Sequence, residues 1–259
     1  MPQTNQIEIV QYNRGTVSIV LDDIISETLL TLLINDTIVG SFICSWMHIE
    51  YLVIGYLFCE GWITSMGDLL SLEVREPDAQ ALVYIPKSRF QNKNRDSFLS
   101  SGCGHKMQSS TPLVPSPRMK GDFSITPSVV IDSMKQFQKA STLFQSTGGV
   151  HSVALVSPNR EWILEEDIGR HNALDKAIGF GLQHGIPFEK SFIMTSGRIS
   201  SDMVQKIVPL PIPLLISKSA ATDAAIQIAN RIDLTLIGFA RGERFNIYTQ
   251  PDRIQEEKS

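Results

Sequence analysis

The chain has 259 residues, 42% of them apolar, a formal net charge of −4 and three cysteines. That length suffices for two domains with separate cores, and the slight acidic excess argues against a nucleic-acid surface, which needs a basic one. Three cysteines are too few for a disulfide framework and odd in number, which fits a reducing compartment. Residues 1–20 lack a basic stretch leading into an apolar one, and no apolar run of about 18 residues occurs, so a cytoplasmic location without a membrane span is expected.

In chain order, residues 6–43 read as β structure: Ile7–Val10, Thr16–Leu21, Thr28–Ile34 and Thr37–Ile43, with Asn35-Asp36 as a turn. Apolar residues Leu52, Val53, Tyr56 and Leu57 then recur at helical spacing from Ile49, and Gly61 is placed to stop that helix. Cys44 and Cys59, beside a strand and at a helix end, read as core thiols. Leu69–Val74 and Ala81–Ile85 complete an α+β domain over residues 1–86.

Residues 87–125 have little apolar periodicity and repeated prolines, which predicts a mobile loop. At its centre Cys103 stands between Gly102 and Gly104, with His105 and Lys106 following. Flanking glycines leave a thiol unscreened and nearby cations favour thiolate, so Cys103 reads as a reactive cysteine, or else as a surface thiol in a flexible linker.

From residue 126 to 259 strands and helices alternate. Thr126-Pro127 is a helix start, Gly148–Val156 is a glycine turn running into a strand, and Glu161–Glu165 is its hairpin partner. Helices are predicted over Arg170–Leu182, Asp202–Val208 and Thr222–Ile232, and strands over Phe192–Met194, Leu214–Ile216 and Leu234–Phe239. This pattern predicts an α/β domain with a mixed, largely parallel sheet. Ligands of such sheets gather beyond the carboxyl ends of the strands. The segments there, Glu166–Asn172, Thr195–Ser201, Ser217–Ser219 and Ala240–Arg244, combine cations with small residues, and three of the four lead into a helix. They read as a site for a phosphate or pyrophosphate ligand, or as separate solvated charges.

Standard motifs do not account for this face. No Walker A sequence or G-x-S-x-G elbow is present, and Gly179-Phe180-Gly181 lies at a helix end instead of after a strand. His48-Ile49-Glu50 matches the H-x-E part of a zinc deaminase signature without the P-C-x-x-C that should follow, and no zinc-ligand spacing is found.

The runs Glu166–Lys176, Thr195–Ser200, Ile216–Ala220 and Leu236–Gly242, continuing through Asn246–Thr249, together with Gly55–Gly61, resemble the formate dehydrogenase accessory sulfurtransferase family (FdhD/NarQ) along nearly the whole chain. The resemblance implies a cytidine-deaminase-like C-terminal domain without the deaminase zinc, and a homodimer. It also implies a persulfide on Cys103, received from a cysteine desulfurase and passed to the bis-guanine-dinucleotide molybdenum cofactor that formate dehydrogenase needs. The family's cofactor segment maps onto Phe239, Ala240, Arg241, Gly242, Glu243 and Arg244. His171, Arg198 and Lys218 are further candidates for cofactor binding, and GDP is the cofactor fragment to test. One departure is plain: the family's loop carries a C-x-x-C pair, whereas Cys103 stands alone, which keeps a non-catalytic cofactor chaperone as the alternative. A hydrolase or deaminase inherited with the fold is a third reading, against which the missing metal ligands count.

Overall fold

The structure, a computed structural model, describes residues 1–91, 123–159 and 161–256, so Cys103 and most of the expected loop over 87–125 lie outside the described residues. Turn chemistry sets the first hairpins. β1 (Thr4–Asn13) and β2 (Thr16–Ile25) pair across Arg14 and Gly15, and β3 (Thr28–Ile34) and β4 (Thr37–Cys44) across Asn35 and Asp36; all four turn residues have positive φ. Two consecutive left-handed residues form the turn whose twist matches that of the strands, a conformation that Gly, Asn and Asp adopt at least cost. The first hairpin stands as a two-stranded ribbon. The second joins β5 (Ser71–Arg75) and β6 (Gln80–Tyr84) in a sheet ordered β4-β3-β6-β5.

Helix α1 (Ile49–Cys59) is buried on two sides, and seven of its eleven residues are inaccessible. Leu52, Val53, Tyr56 and Leu57 pack on Leu30, Leu32, Phe42 and Cys44 of the sheet. Its other side meets α5 (Arg170–Gln183) through two glycines. A Cβ on Gly55 would lie 1.9 Å from the carbonyl oxygen of Asp175, and one on Gly179 would lie 2.0 Å from that of Tyr51, so the helices cross backbone to backbone. A short helix α2 (Lys87–Gln91), which periodicity does not predict, follows β6.

The second sheet has six strands in the order β12-β11-β10-β9-β7-β8, namely β7 (His151–Val156), β8 (Trp162–Asp167), β9 (Phe192–Thr195), β10 (Leu214–Ser217), β11 (Thr235–Arg241) and β12 (Arg244–Ile247). Only the β9–β10 and β10–β11 pairings are parallel, so the sheet is mixed and not largely parallel. The hairpins β7–β8 and β11–β12 are the reason: short connections force antiparallel pairing, whereas the crossover helices keep β9, β10 and β11 parallel. Alternation along the strands splits the core. Ala154, Met194, Ile216 and Ile237 face α3 (Pro127–Ala140), which Thr126 caps by accepting a hydrogen bond from the Val129 amide at 3.4 Å. Val153, Ile193, Leu215 and Leu236 face α5, α6 (Ser201–Ile207) and α7 (Asp223–Arg231).

Candidate functional site

The parallel register aligns the carboxyl ends of three strands: Thr195 pairs with Ser217, and Ile216 with Ile237. The loops beyond them are tied to one another. Ile199 donates its amide to Ala220 O and accepts from the Thr222 amide, both at 2.9 Å; Ser217 Oγ donates to Gly197 O at 2.6 Å; the Phe239 amide donates to Ser219 O at 2.9 Å. These bonds make one continuous rim from β9 to β11, on which Arg198, Lys218 and Arg244 have no carboxylate partner among the described residues.

At the β11 end the backbone departs from regular pairing. Phe239 is left-handed, the β11–β12 register shifts between Gly238 and Arg241, and Gly242 turns the hairpin at φ +60°. A Cβ on Gly238 would lie 2.8 Å from the Tyr248 ring and 3.0 Å from Ser219 O, so the close approach of this loop depends on glycine. The Arg241 guanidinium stacks on the Phe239 ring at 5.4 Å and donates from Nε to Lys218 O at 3.2 Å. Ala240 is buried, Arg244 is exposed, and Glu243 pairs with Lys135 of α3 at 2.7 Å. A shallow groove runs between α3 and this hairpin, lined by Met134, Lys135, Gly242, Arg244 and Phe245. The segment Phe239–Arg244 thus offers two exposed guanidinium groups, an aromatic face and a bare glycine at one place.

His171 lies toward the other side of the sheet, on the helix that follows β8, which is four strands from β11. It sits in the first turn of α5 with Nε2 2.6 Å from Asp202 Oδ2, and Arg170 Nη2 reaches the same oxygen at 3.3 Å. Burial alone would raise the Asp202 pKa, but the hydrogen bond from His171 and the charge of Arg170 hold it well below the usual carboxylate range. His151, at the start of β7, is pushed down by burial and by the nearby positive charge of Arg170, His171 and Arg198. Sequence reasoning singled out none of His151, Arg170 and Asp202. The signal available was Asp202 in the first turn after Ser200, and a histidine two residues beyond Gly149.

The rest of the Glu166–Lys176 run turns inward and forms a polar seam with the end of β4. Lys176 and Asp167 are fully buried and 2.7 Å apart. The remaining Asp167 oxygen contacts are hydrogen bonds from Ser45 N and Oγ, Gly169 N and Asn172 Nδ2, and Asn172 Nδ2 also donates to Ile43 O at 2.8 Å. Glu166 accepts from Ser152 Oγ and from the amides of Leu143 and Phe144, which open helix α4 (Thr142–Thr147). Lys206 of α6 is held protonated by both oxygens of Asp175, at 3.0 and 2.9 Å.

Neither described cysteine is suited to nucleophilic chemistry. Burial, reinforced by Asp167, pushes the Cys44 thiol up to about 12, and burial and Asp175 raise Cys59 well above its ordinary value. His48 Nδ1 lies 2.8 Å from Glu165, and no cluster of three His, Cys, Asp or Glu suited to a metal is found among the described residues. No helix among them is long and apolar enough to cross a membrane.

Comparison with known proteins gives a consistent result. The FdhD/NarQ family profile matches residues 25–255. A sulfur carrier protein FdhD from Staphylococcus haemolyticus (strain JCSC1435) is 35% identical over 254 residues, covering 95% of this chain and 95% of its own. The sulfur carrier protein FdhD of Bacillus subtilis (strain 168) is 34% identical over 255 residues, covering 96% and 97%. In fold, the chain is similar to a crystal structure described as a formate dehydrogenase accessory protein from Desulfotalea psychrophila, with a TM-score of 0.79 and 24% identity over 98% of this chain and 100% of that one.

Proposed function

The chain belongs to the FdhD/NarQ family, and from that premise we propose that it is a sulfur carrier in formate dehydrogenase maturation, with the persulfide borne on Cys103. In the first step the Cys103 thiolate attacks the sulfane sulfur of a cysteine desulfurase persulfide. A new S–S bond forms at Cys103, and the desulfurase cysteine leaves as thiolate. The sulfur is then delivered to the bis-guanine-dinucleotide molybdenum cofactor, the substrate, held at the rim of a cytidine-deaminase-like domain; the Cys103–sulfur bond breaks, Cys103 leaves as thiolate, and a thiol reductant supplies the two electrons that take sulfane sulfur to sulfide. The reading places this activity in the cytoplasm, with the protein working as a homodimer. One face of the β1–β2 ribbon supports the dimer: Val10, Tyr12, Val17, Ile19 and Leu21 are 66–72% exposed there, a surface of the kind covered in assemblies.

The observation that carries the binding part is the alignment of Arg198, Lys218 and Arg244, without carboxylate partners among the described residues, beyond successive strands. Those groups fit pyrophosphate: guanidinium groups donate in pairs to phosphate oxygens, and Gly242 lets a ligand approach the backbone. GDP should bind, more weakly as salt is raised, and Arg244→Ala should weaken it without affecting sulfur loading on Cys103. Titration calorimetry showing no GDP binding at low salt would remove the pyrophosphate reading. Intact mass after incubation with a cysteine desulfurase and cysteine should show one added sulfur that dithiothreitol removes, absent from Cys103→Ala. Because Cys103 stands alone, full recovery of formate dehydrogenase activity by Cys103→Ala in a complemented cell would replace the carrier with a cofactor chaperone.

A further inference from the structure

The side chains around Gly197 form a second cluster of positive charge, at the β7–β9 end of the rim. Arg170 and His151 converge on this glycine: a Cβ there would lie 3.3 Å from Arg170 Cβ and 3.5 Å from His151 Nδ1. Gly197 does not have positive φ, so what its missing side chain provides is the close approach of Arg170 and His151 and not a backbone conformation. Arg198 stands exposed beside it without a carboxylate partner among the described residues. Arg170 meets Asp202 with Nη2, and its Nε is buried with no hydrogen-bond partner among the described residues. Asp202 is thus shared by Arg170 and by His171, whose Nε2 lies 2.6 Å from it, and it leaves Arg198 unmatched among the described residues. The other acidic group close by, Asp167, is neutralised by Lys176. A surplus of positive charge gathered by a close backbone approach, with a buried donor left unmatched among the described residues, suits an oxyanion.

We propose that His151, Arg170, His171 and Arg198, gathered around Gly197, form an oxyanion subsite separate from the Phe239–Arg244 segment, which accepts a phosphate-like group. Asp202 is a positioning residue: it fixes Arg170 and His171 in place without touching the ligand. This deepens the reading above and rests on it for the identity of the larger ligand, of which this subsite would hold one phosphoryl group while Phe239–Arg244 holds another part. His151, pushed down by burial and its cationic neighbours, presents a neutral ring at neutral pH that becomes a further donor when an anion arrives.

Inorganic phosphate and GDP are the two probes, and the imidazole resonances of His151 and His171 in the unaltered protein are the readout. Titration with phosphate at low salt should shift both. If GDP shifts them too, the anion is a phosphoryl group of the nucleotide; if phosphate alone does, it is a free oxyanion; in either case the subsite stands. Arg198→Gln, an exposed change that leaves the fold intact, should weaken phosphate binding about tenfold to a hundredfold, whereas Arg244→Ala should leave it within about twofold. Gly197→Ala should weaken it by crowding Arg170 and His151 out of position. Unmoved imidazole signals at saturating phosphate, or loss of phosphate binding in Arg244→Ala with none in Arg198→Gln, would overturn the subsite. GDP binding without imidazole shifts removes the subsite and keeps the pyrophosphate reading; phosphate binding without any GDP binding does the reverse.

Discussion

At the seam between α5 and β4, Lys176 and Asp167 are both inaccessible, and hydrogen bonds from Ser45, Gly169 and Asn172 surround the carboxylate. At the rim of the six-stranded sheet, Arg198, Lys218 and Arg244 carry the same kinds of charge with no carboxylate partner among the described residues. A buried charge is tolerable only when its partners are complete, because the penalty of desolvation is large. A charge left open to water costs little and is ready to meet an anion. Complete partnership therefore marks the part of the motif that holds the molecule together, and incomplete partnership marks the part available to a ligand.

The largest contrast is between glycines. In Gly179→Ala the new Cβ would lie 2.0 Å from Tyr51 O and 2.9 Å from Gly55 N, both backbone atoms, so α1 and α5 must separate. Little folded protein is expected, by yield and circular dichroism. Gly242→Ala meets open space at φ +60° and should lose only about 1 kcal/mol to backbone strain. If both fold equally well, the helix crossing is looser than described. Lysines give the next contrast. Lys176→Ala leaves Asp167 buried without its countercharge and should lower stability in urea by about 3–5 kcal/mol, whereas Lys218→Ala should stay within about 0.5 kcal/mol. Equal shifts in the urea midpoint would erase the distinction between seam and rim.

A smaller effect is read by pH. The Asp202 carboxyl lies below its value in the unfolded chain, near 3.9, so its contribution is fully present above that pH and is lost as pH falls below it toward the folded value. Thermal melts between pH 5 and 2 should therefore fall less steeply for Asp202→Asn than for the parent; parallel curves would show that Asp202 gains nothing from His171 and Arg170. The smallest expected effect is a silence: in native protein at pH 8, iodoacetamide should leave Cys44 and Cys59 unmodified, because both thiols are held far above that pH. Alkylation of either at the rate of the unfolded chain, by peptide mass mapping, would place it outside the core.

Local signals carried much of the fold. Asn35-Asp36 and Thr126-Pro127 announce a turn and a helix start through backbone preferences that act within a few residues, and both are found where the sequence puts them. Helix α4 escaped because its opening amides are satisfied by Glu166, more than 20 residues on, and β12 because a four-residue strand after Gly242 has no periodicity to read. The site was legible only in outline. Strand-end placement of Arg198, Lys218 and Arg244 follows from alternation of strands and helices. The division of Glu166–Lys176 into inward Asp167, Asn172 and Lys176 and outward Arg170 and His171 does not, since the partners that decide it, Ile43 and Ser45, come from the other end of the chain.

The crossing of α1 and α5 has a consequence for cooperativity. Contacts between long side chains can be traded for others as two units slide, but two backbones in contact have nothing to rearrange, and the polar seam beside them cannot admit motion without admitting water. Separating the β3–β6 unit from the six-stranded sheet would thus expose Gly55, Gly179, Lys176 and Asp167 together. The hydrophobic cores on either side of this crossing are distinct in composition yet linked through a contact that is all or none, and they should melt as one calorimetric transition whose van't Hoff and measured enthalpies agree.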